Sequence, residues 1–144
     1  MGSAAGLASF AIEFAGTYII DFKDHLEGSD AESGIGPRWR HHVALDWSLG
    51  AWGVTLAETY SSSYRDANLD ASHNARDVSA YDIWDLQARY TGSRNTTIAL
   101  GILNLMDRAP PFSNQTNTFQ VGYDPSYANP LGRTFYARLT FKFH

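Results

Sequence analysis

The sequence predicts an all-β chain: an antiparallel meander of about six transmembrane-type strands, a segment of an outer-membrane β-barrel. Three observations lead there. First, the chain alternates. From Arg133 to Phe143 the residues Phe135, Ala137, Leu139, Phe141 and Phe143 fall on one face, and Thr134, Tyr136, Arg138, Thr140 and Lys142 on the other. A period of two with one apolar face describes a strand lying between an oily phase and a wet one. The length matches the ~9–11 tilted residues that cross a bilayer as a strand. Second, the links between alternating segments are in turn short and long. Third, aromatics reach 14% of the chain against 18% charged residues. Mean hydropathy is nevertheless −0.30, and no run approaches the ~18 apolar residues of a membrane helix.

Taken in order, the first strand runs from about Phe10 to Phe22. Phe10, Ile12, Phe14, Gly16, Tyr18, Ile20 and Phe22 share a face, with Glu13, Thr17 and Asp21 opposite. The second carries Trp39, Val43, Leu45, Trp47 and Leu49 against Arg40, Asp46 and Ser48, and His41 interrupts the apolar side. The third sets Trp52, Val54, Leu56 and Tyr60 against Thr55, Ala57 and Thr59, with Glu58 a misfit on the apolar side unless it lies at headgroup level. The fourth alternates Trp84, Leu86, Ala88 and Tyr90 with Asp85, Gln87 and Arg89; the fifth alternates Ile98, Leu100 and Ile102 with Thr97, Ala99 and Gly101. The sixth is the C-terminal run.

Strands two and three meet at a tight turn around Gly50, and strands four and five at Thr91–Arg94, whereas 23–37, 61–80 and 106–132 are long. Barrels of the outer membrane are built with short turns at the periplasmic rim and long loops outside. Aromatic residues near strand ends, among them Trp39, Trp52, Tyr60, Tyr81 and Tyr90, suit the two bilayer interfaces.

Composition excludes more than it selects. The 144 residues make one domain, and a soluble β-sandwich would fit the same percentages. The absence of cysteine rules out disulfides, thiolate metal sites and thiol nucleophiles. A net charge of −4 with scattered Arg and Lys gives no nucleic-acid surface. The opening Met1–Ala8 has neither a basic n-region nor a long apolar core, so no secretory signal is expected there.

Several ordered motifs carry a family resemblance. The run Asn104-Leu105-Met106-Asp107-Arg108-Ala109-Pro110-Pro111-Phe112-Ser113-Asn114-Gln115 resembles the end of TonB-dependent outer-membrane receptors. So do Phe119–Pro125, Gly132-Arg133-Thr134-Phe135-Tyr136 and, upstream, Arg38–His41 and Tyr81–Leu86. The resemblance implies a 22-stranded barrel with an N-terminal plug, taking up scarce nutrients with energy relayed by the TonB protein. It extends from Phe10 onward. Residues 1–9 read as a disordered or cloning-derived N-terminus and 10–144 as the C-terminal barrel segment. Such a segment is expected to be non-enzymatic, without cofactor, and unable to transport alone.

The expected location is the bacterial outer membrane, as part of a full receptor. The expected partners are outer-membrane lipid, the remaining barrel and plug, TonB only through N-terminal parts, and the barrel-assembly machinery. Its open edges also allow self-association. The final strand, with Gly132, Phe135, Ala137, Leu139, Phe141 and Phe143, resembles the signal read during barrel assembly; His144 departs from the usual terminal aromatic. Two other readings stay open: a small self-associating outer-membrane barrel or binding module, and a soluble lipocalin-like protein with its apolar face turned inward.

Chemistry-bearing residues form no catalytic pattern. Asp21, Asp24, Glu27, Asp30 and Glu32 lack the spacing of a calcium loop and read as solvated. His25, His41, His42, His73 and His144 lack metal-ligand spacing, and no G-x-S-x-G elbow is present. The loop 106–132, rich in Pro, Asn, Gln and Tyr, is the best candidate for substrate capture, although its prolines could equally serve only to stiffen the rim.

Overall fold

The computed structural model describes residues 7–20, 36–92, 95–115 and 122–143. Among these residues are eight strands: β1 (Ser9–Tyr18), β2 (Trp39–Leu49), β3 (Trp52–Ser61), β4 (Tyr64–Leu69), β5 (Ala75–Val78), β6 (Tyr81–Tyr90), β7 (Thr96–Leu103) and β8 (Thr134–Phe141). Six form one antiparallel sheet in the order β1-β2-β3-β6-β7-β8, and β4 pairs only with β5. The six strands are those the alternation predicts. The expected continuation of the first strand to Phe22 lies outside the described residues; described pairing continues past Tyr18 only as far as a bond from Ile19 N–H to Arg38 O of 2.8 Å.

The link 61–80, expected to be a plain loop, is instead a second hairpin. It extends the first one in the same frame, for Ser61 faces Tyr81 and, three residues on, Tyr64 faces Val78. Alternation could not reveal it, because a hairpin standing in water beyond the membrane needs no apolar face. Its tip is closed by polar chemistry. Asp70 accepts bonds from Ser72 N–H at 2.8 Å and Asn74 N–H at 2.9 Å, and His73 takes a left-handed φ of 59°. At the opposite rim, Leu49 faces Trp52 across the two residues Gly50 and Ala51. Gly50 has φ 59°, as a tight turn with glycine in its first central position requires.

The register turns the alternation into two faces. Rows of facing residues run Ile12–Leu45–Leu56–Leu86–Ile102–Phe135 and Phe10–Trp47–Val54–Ala88–Leu100–Ala137. The intervening rows on the other face run Ala11–Asp46–Thr55–Gln87–Gly101–Tyr136 and Ser9–Ser48–Gly53–Arg89–Ala99–Arg138. One face is oily across six strands and the other is small or polar. Among the described residues few apolar side chains are buried: Pro37, Ala44, Val78, Tyr81 and Ala99 are, while Ile12 is 74% and Phe135 71% exposed. A soluble domain would cover such a face. A wall in lipid would not.

β1 and β8 are the sheet's two edges and do not pair with each other, so the six strands do not close. Tyr136 braces the open end: its hydroxyl donates to Gln87 Oε1 at 2.9 Å, the ring passing over Gly101 and tying β8 to β6 across β7.

Candidate ligand-facing site

The site begins at the long-loop ends of the strands, on the polar face. There β2, β3 and β6 present Arg40, Thr59, Ser61, Tyr81 and Ile83. Tyr123 and residues 125–130 of the long loop lie over them and border an open hollow of about 470 Å³. Tyr123, Pro125, Tyr127 and Pro130 form its roof. The Arg40 guanidinium carbon sits 5.7 Å from the centre of the Tyr127 ring, close enough for the ring to attract the cation. Tyr81, 5% exposed, donates its hydroxyl to Asn129 O at 3.1 Å and so pins roof to floor. Among the described residues the lining thus offers one cation, three phenols and several hydroxyls, with no carboxylate. It suits an anionic ligand with flat or aromatic surfaces.

The roof is held at its neck by the motif that carries the family resemblance. Asn104, 3% exposed and at φ 52°, donates from Nδ2 to Arg108 O at 2.9 Å and to Leu131 O at 3.4 Å. Its Oδ1 accepts from Arg108 N–H at 2.8 Å, and its own N–H donates to Asp85 Oδ1 at 2.8 Å. Asp107 Oδ1 accepts from Arg133 N–H at 2.8 Å. A Cβ on Gly132 would lie only 2.8 Å from that same oxygen. A side chain there would press on the carboxylate that holds Arg133 N–H, and both ends of the loop are drawn to one point. Sequence reasoning placed Gly132 among the assembly residues; the structure adds this bracing role.

A second anchor joins the loop to the β4–β5 hairpin. Asp66, 6% exposed, accepts at Oδ2 from Ser113 Oγ at 2.8 Å and Asn114 N–H at 2.6 Å, and at Oδ1 from Asn68 N–H at 3.1 Å. Tyr64 packs edge-on to Tyr127 at 5.5 Å. Its phenol is pushed up to about 12, chiefly by burial and then by the charges of Asp124 and Asp66, against a hydrogen bond with Ser113. Arg76 stands 4.7 Å from the Phe112 ring centre. Sequence reasoning missed Asp66 because nothing in its neighbourhood alternates or matches a motif.

His41 and Glu58, the two misfits of the apolar face, prove to be partners. Glu58 Oε2 lies 3.5 Å from His41 Nε2. Trp39 Nε1–H donates to His41 Nδ1 at 2.8 Å, so a neutral His41 carries its proton on Nε2, facing Glu58. Phe14 and Tyr60 stack against the imidazole. On the next strand Asp82 pairs with Arg108. The charged side chains of the oily face, His41 with Glu58 and Asp82 with Arg108, thus gather toward its long-loop end, as suits a strand end at headgroup level. Among the described residues no three His, Asp or Glu side chains converge to hold a metal. The acidic stretch 21–32, His25 and His144 lie outside the described residues.

A family model described as TonB dependent receptor-like, beta-barrel, matches residues 4–105, more than half of the chain. The chain belongs to the TonB-dependent receptor family. It is similar to the ferric enterobactin receptor PirA of Pseudomonas aeruginosa, at 28% identity over 133 residues, covering 88% of this chain and 17% of that receptor. A crystal structure of a point mutant of the ferric enterobactin receptor PfeA, from the same organism, superposes with a TM-score of 0.66 at 23% identity. That match covers 93% of this chain and 20% of that one, and it shows the fold. The chain thus spans about a fifth or less of the receptors it matches. Its relatives in the TonB-dependent family are receptors of barrel architecture, which agrees with the all-β, antiparallel reading and with an outer-membrane setting.

Proposed function

We propose that this chain is the C-terminal wall and outer mouth of a TonB-dependent receptor that imports a ferric siderophore, and that it does not transport alone. The observation that carries the reading is the coincidence of two features on one sheet. An apolar face spans six strands, and on the reverse face a hollow with Arg40, Tyr81, Tyr123 and Tyr127 opens beneath the long loop. A ferric catecholate is anionic and presents aromatic edges, which matches one guanidinium and three phenols. The names of the two relatives support that substrate class.

On this reading the oily face meets outer-membrane lipid, and the edges of β1 and β8 pair with the remaining strands of the barrel. A plug fills the lumen, and TonB engages parts that belong to the rest of the receptor. Residues 10–144 act as one barrel segment and residues 1–9 precede it. No catalytic step is assigned.

In a receptor carrying this segment, Arg40→Ala and Tyr127→Ala should each weaken ferric enterobactin binding roughly tenfold, about 1.4 kcal/mol, with normal receptor abundance in the outer membrane. Unchanged binding by both variants would remove the hollow from the uptake path.

β8 also serves, on our reading, as the assembly signal through Gly132, Phe135, Ala137, Leu139, Phe141 and Phe143. Strand addition would use its free edge for affinity and alternate side chains for specificity. Phe143→Ala should lower outer-membrane abundance without changing synthesis; normal abundance would leave β8 as wall only.

A further inference from the structure

We propose that Asp66 is a positioning residue for the ligand-facing hollow: from the β4–β5 hairpin, without lining the hollow, it holds the roof of residues 123–130 in its ligand-ready place. The inference rests on the reading of that hollow as the binding mouth.

The path from Asp66 to the roof is continuous. Its carboxylate takes Ser113 Oγ and Asn114 N–H on one oxygen and Asn68 N–H on the other. Ser113, 1% exposed, donates its own N–H to Gly122 O at 3.2 Å, and its hydroxyl accepts from Gln115 N–H at 3.1 Å. Gln115 Nε2 donates to Tyr123 O at 2.9 Å. The strand of loop leaving the neck is thus cross-braced to the strand that returns through Gly122 and Tyr123. From there Asp124 closes a turn: its carbonyl accepts from Tyr127 and Ala128 N–H, and its side chain from Ser126 N–H at 2.9 Å. That turn aims Tyr127 at Arg40.

A carboxyl group with two accepting oxygens suits this position. Among the described residues Asp66 meets donors on both oxygens and no acceptor. An asparagine of the same shape offers one oxygen and must turn an NH2 toward a backbone N–H, leaving a buried donor unsatisfied. The lesion is therefore chemical rather than steric. It should release the roof without disturbing the wall. When the ligand-ready state falls to a fraction of the population, apparent affinity falls by that fraction.

Asp66→Asn in the full receptor, folded in detergent, provides the test, with amide hydrogen exchange and ferric enterobactin as probes. Exchange at Asn114 and across 122–130 should rise at least tenfold, while β2, β3 and β6 keep their protection. The dissociation constant of the folded fraction should rise by a similar factor, with association rates that level off at high ligand concentration as the roof's return becomes limiting. Ser113→Ala, which removes one of the three donors to Asp66 and also the acceptor of Gln115 N–H, should shift both readouts in the same direction. A role confined to folding would lower the yield of folded receptor and leave the affinity of that fraction unchanged, which would overturn the proposal.

Unchanged exchange at 122–130 would overturn it too, whatever the hollow binds. Raised exchange with unaltered affinity would also sink it. Arg40→Ala then tells the two failures apart: if that variant weakens binding, the hollow is the mouth and only the positioning role is lost.

Discussion

The wall and its cap are built on opposite principles. In the six-stranded wall, Phe10, Ile12, Leu100, Phe135 and Leu139 are all more than half exposed, and backbone pairing does the joining. In the cap formed by the β4–β5 hairpin and the long loop, the buried side chains include Asp66, Ser113 and Gln115, with Asn104 at the neck. The wall is finished by its solvent; the cap is finished by its own hydrogen bonds. A membrane supplies an apolar phase for Leu and Phe, but beyond it only water competes, and a loop can hold a shape there by satisfying buried polar groups internally.

The sharpest way to break this comparison is to remove the membrane and the rest of the barrel together. β1 and β8 then present unpaired N–H and C=O groups, and the apolar face meets water. The isolated chain should aggregate or pair edge to edge with its own copies in detergent-free buffer. Sedimentation checks this, and a monodisperse, cooperatively melting monomer would favour the soluble lipocalin-like alternative.

Next in size is a charge on the oily face. Leu56 lies mid-strand in the row Ile12–Leu45–Leu56–Leu86–Ile102–Phe135. Leu56→Arg in the full receptor should cost about 2–4 kcal/mol, the scale for arginine at a bilayer midplane. Ala57→Arg, one residue on and facing the lumen beside Asp85, should leave assembly near the parent level. Equal losses, measured as folded receptor in the outer membrane, would mean that the two faces are not lipid and lumen.

These two tests address what was legible in the sequence. Period-two alternation located all six wall strands and both faces, because a lipid-facing strand writes its environment into every second residue. The misfits His41 and Glu58 were visible as misfits, but their pairing needed the register that sets Val43 opposite Glu58 and His41 opposite Tyr60. The cap was legible only as the long loop 106–132, not in its internal bonding. Its hairpin lacks an apolar face, and Asp66 reaches Ser113 across 47 residues, a distance no local pattern spans. The Asn104–Asp107 and Gly132–Arg133 motifs lay between these cases, recognisable as a resemblance but without a mechanism until they closed on one another.

That neck supplies the third test. Asn104→Ala removes both partners of Arg108 N–H and O and a contact to Leu131 O, at a cost of about 1–3 kcal/mol for buried groups left unpaired. Asn104→Gly keeps the left-handed backbone but loses the same bonds, so it isolates the hydrogen-bond share. Melting of the detergent-folded receptor measures both. If Asn104→Gly is as stable as the parent, backbone conformation and not the side-chain clamp holds the neck.

The smallest effect is invisible at neutral pH and separates cap from wall by titration. The Tyr64 phenol, ordinarily near 10, is raised to about 12 by burial first and by Asp124 and Asp66 after it. Folding the cap therefore favours the neutral phenol. Below about pH 10 Tyr64 is protonated whether the cap is closed or open, and its contribution is constant. As pH rises from 10 toward 12, the open cap can ionise Tyr64 while the closed one resists, so stability drains from the closed form and is lost once pH passes the folded value. Phenolate absorbance, taken as the difference between the receptor and its Tyr64→Phe variant, should place this group well above the ordinary tyrosine range. Asp124→Asn should bring it down, and hydrogen exchange in the cap should accelerate over the same alkaline interval, ahead of the wall strands. A Tyr64 that ionises near 10 would mean that the loop does not cover it.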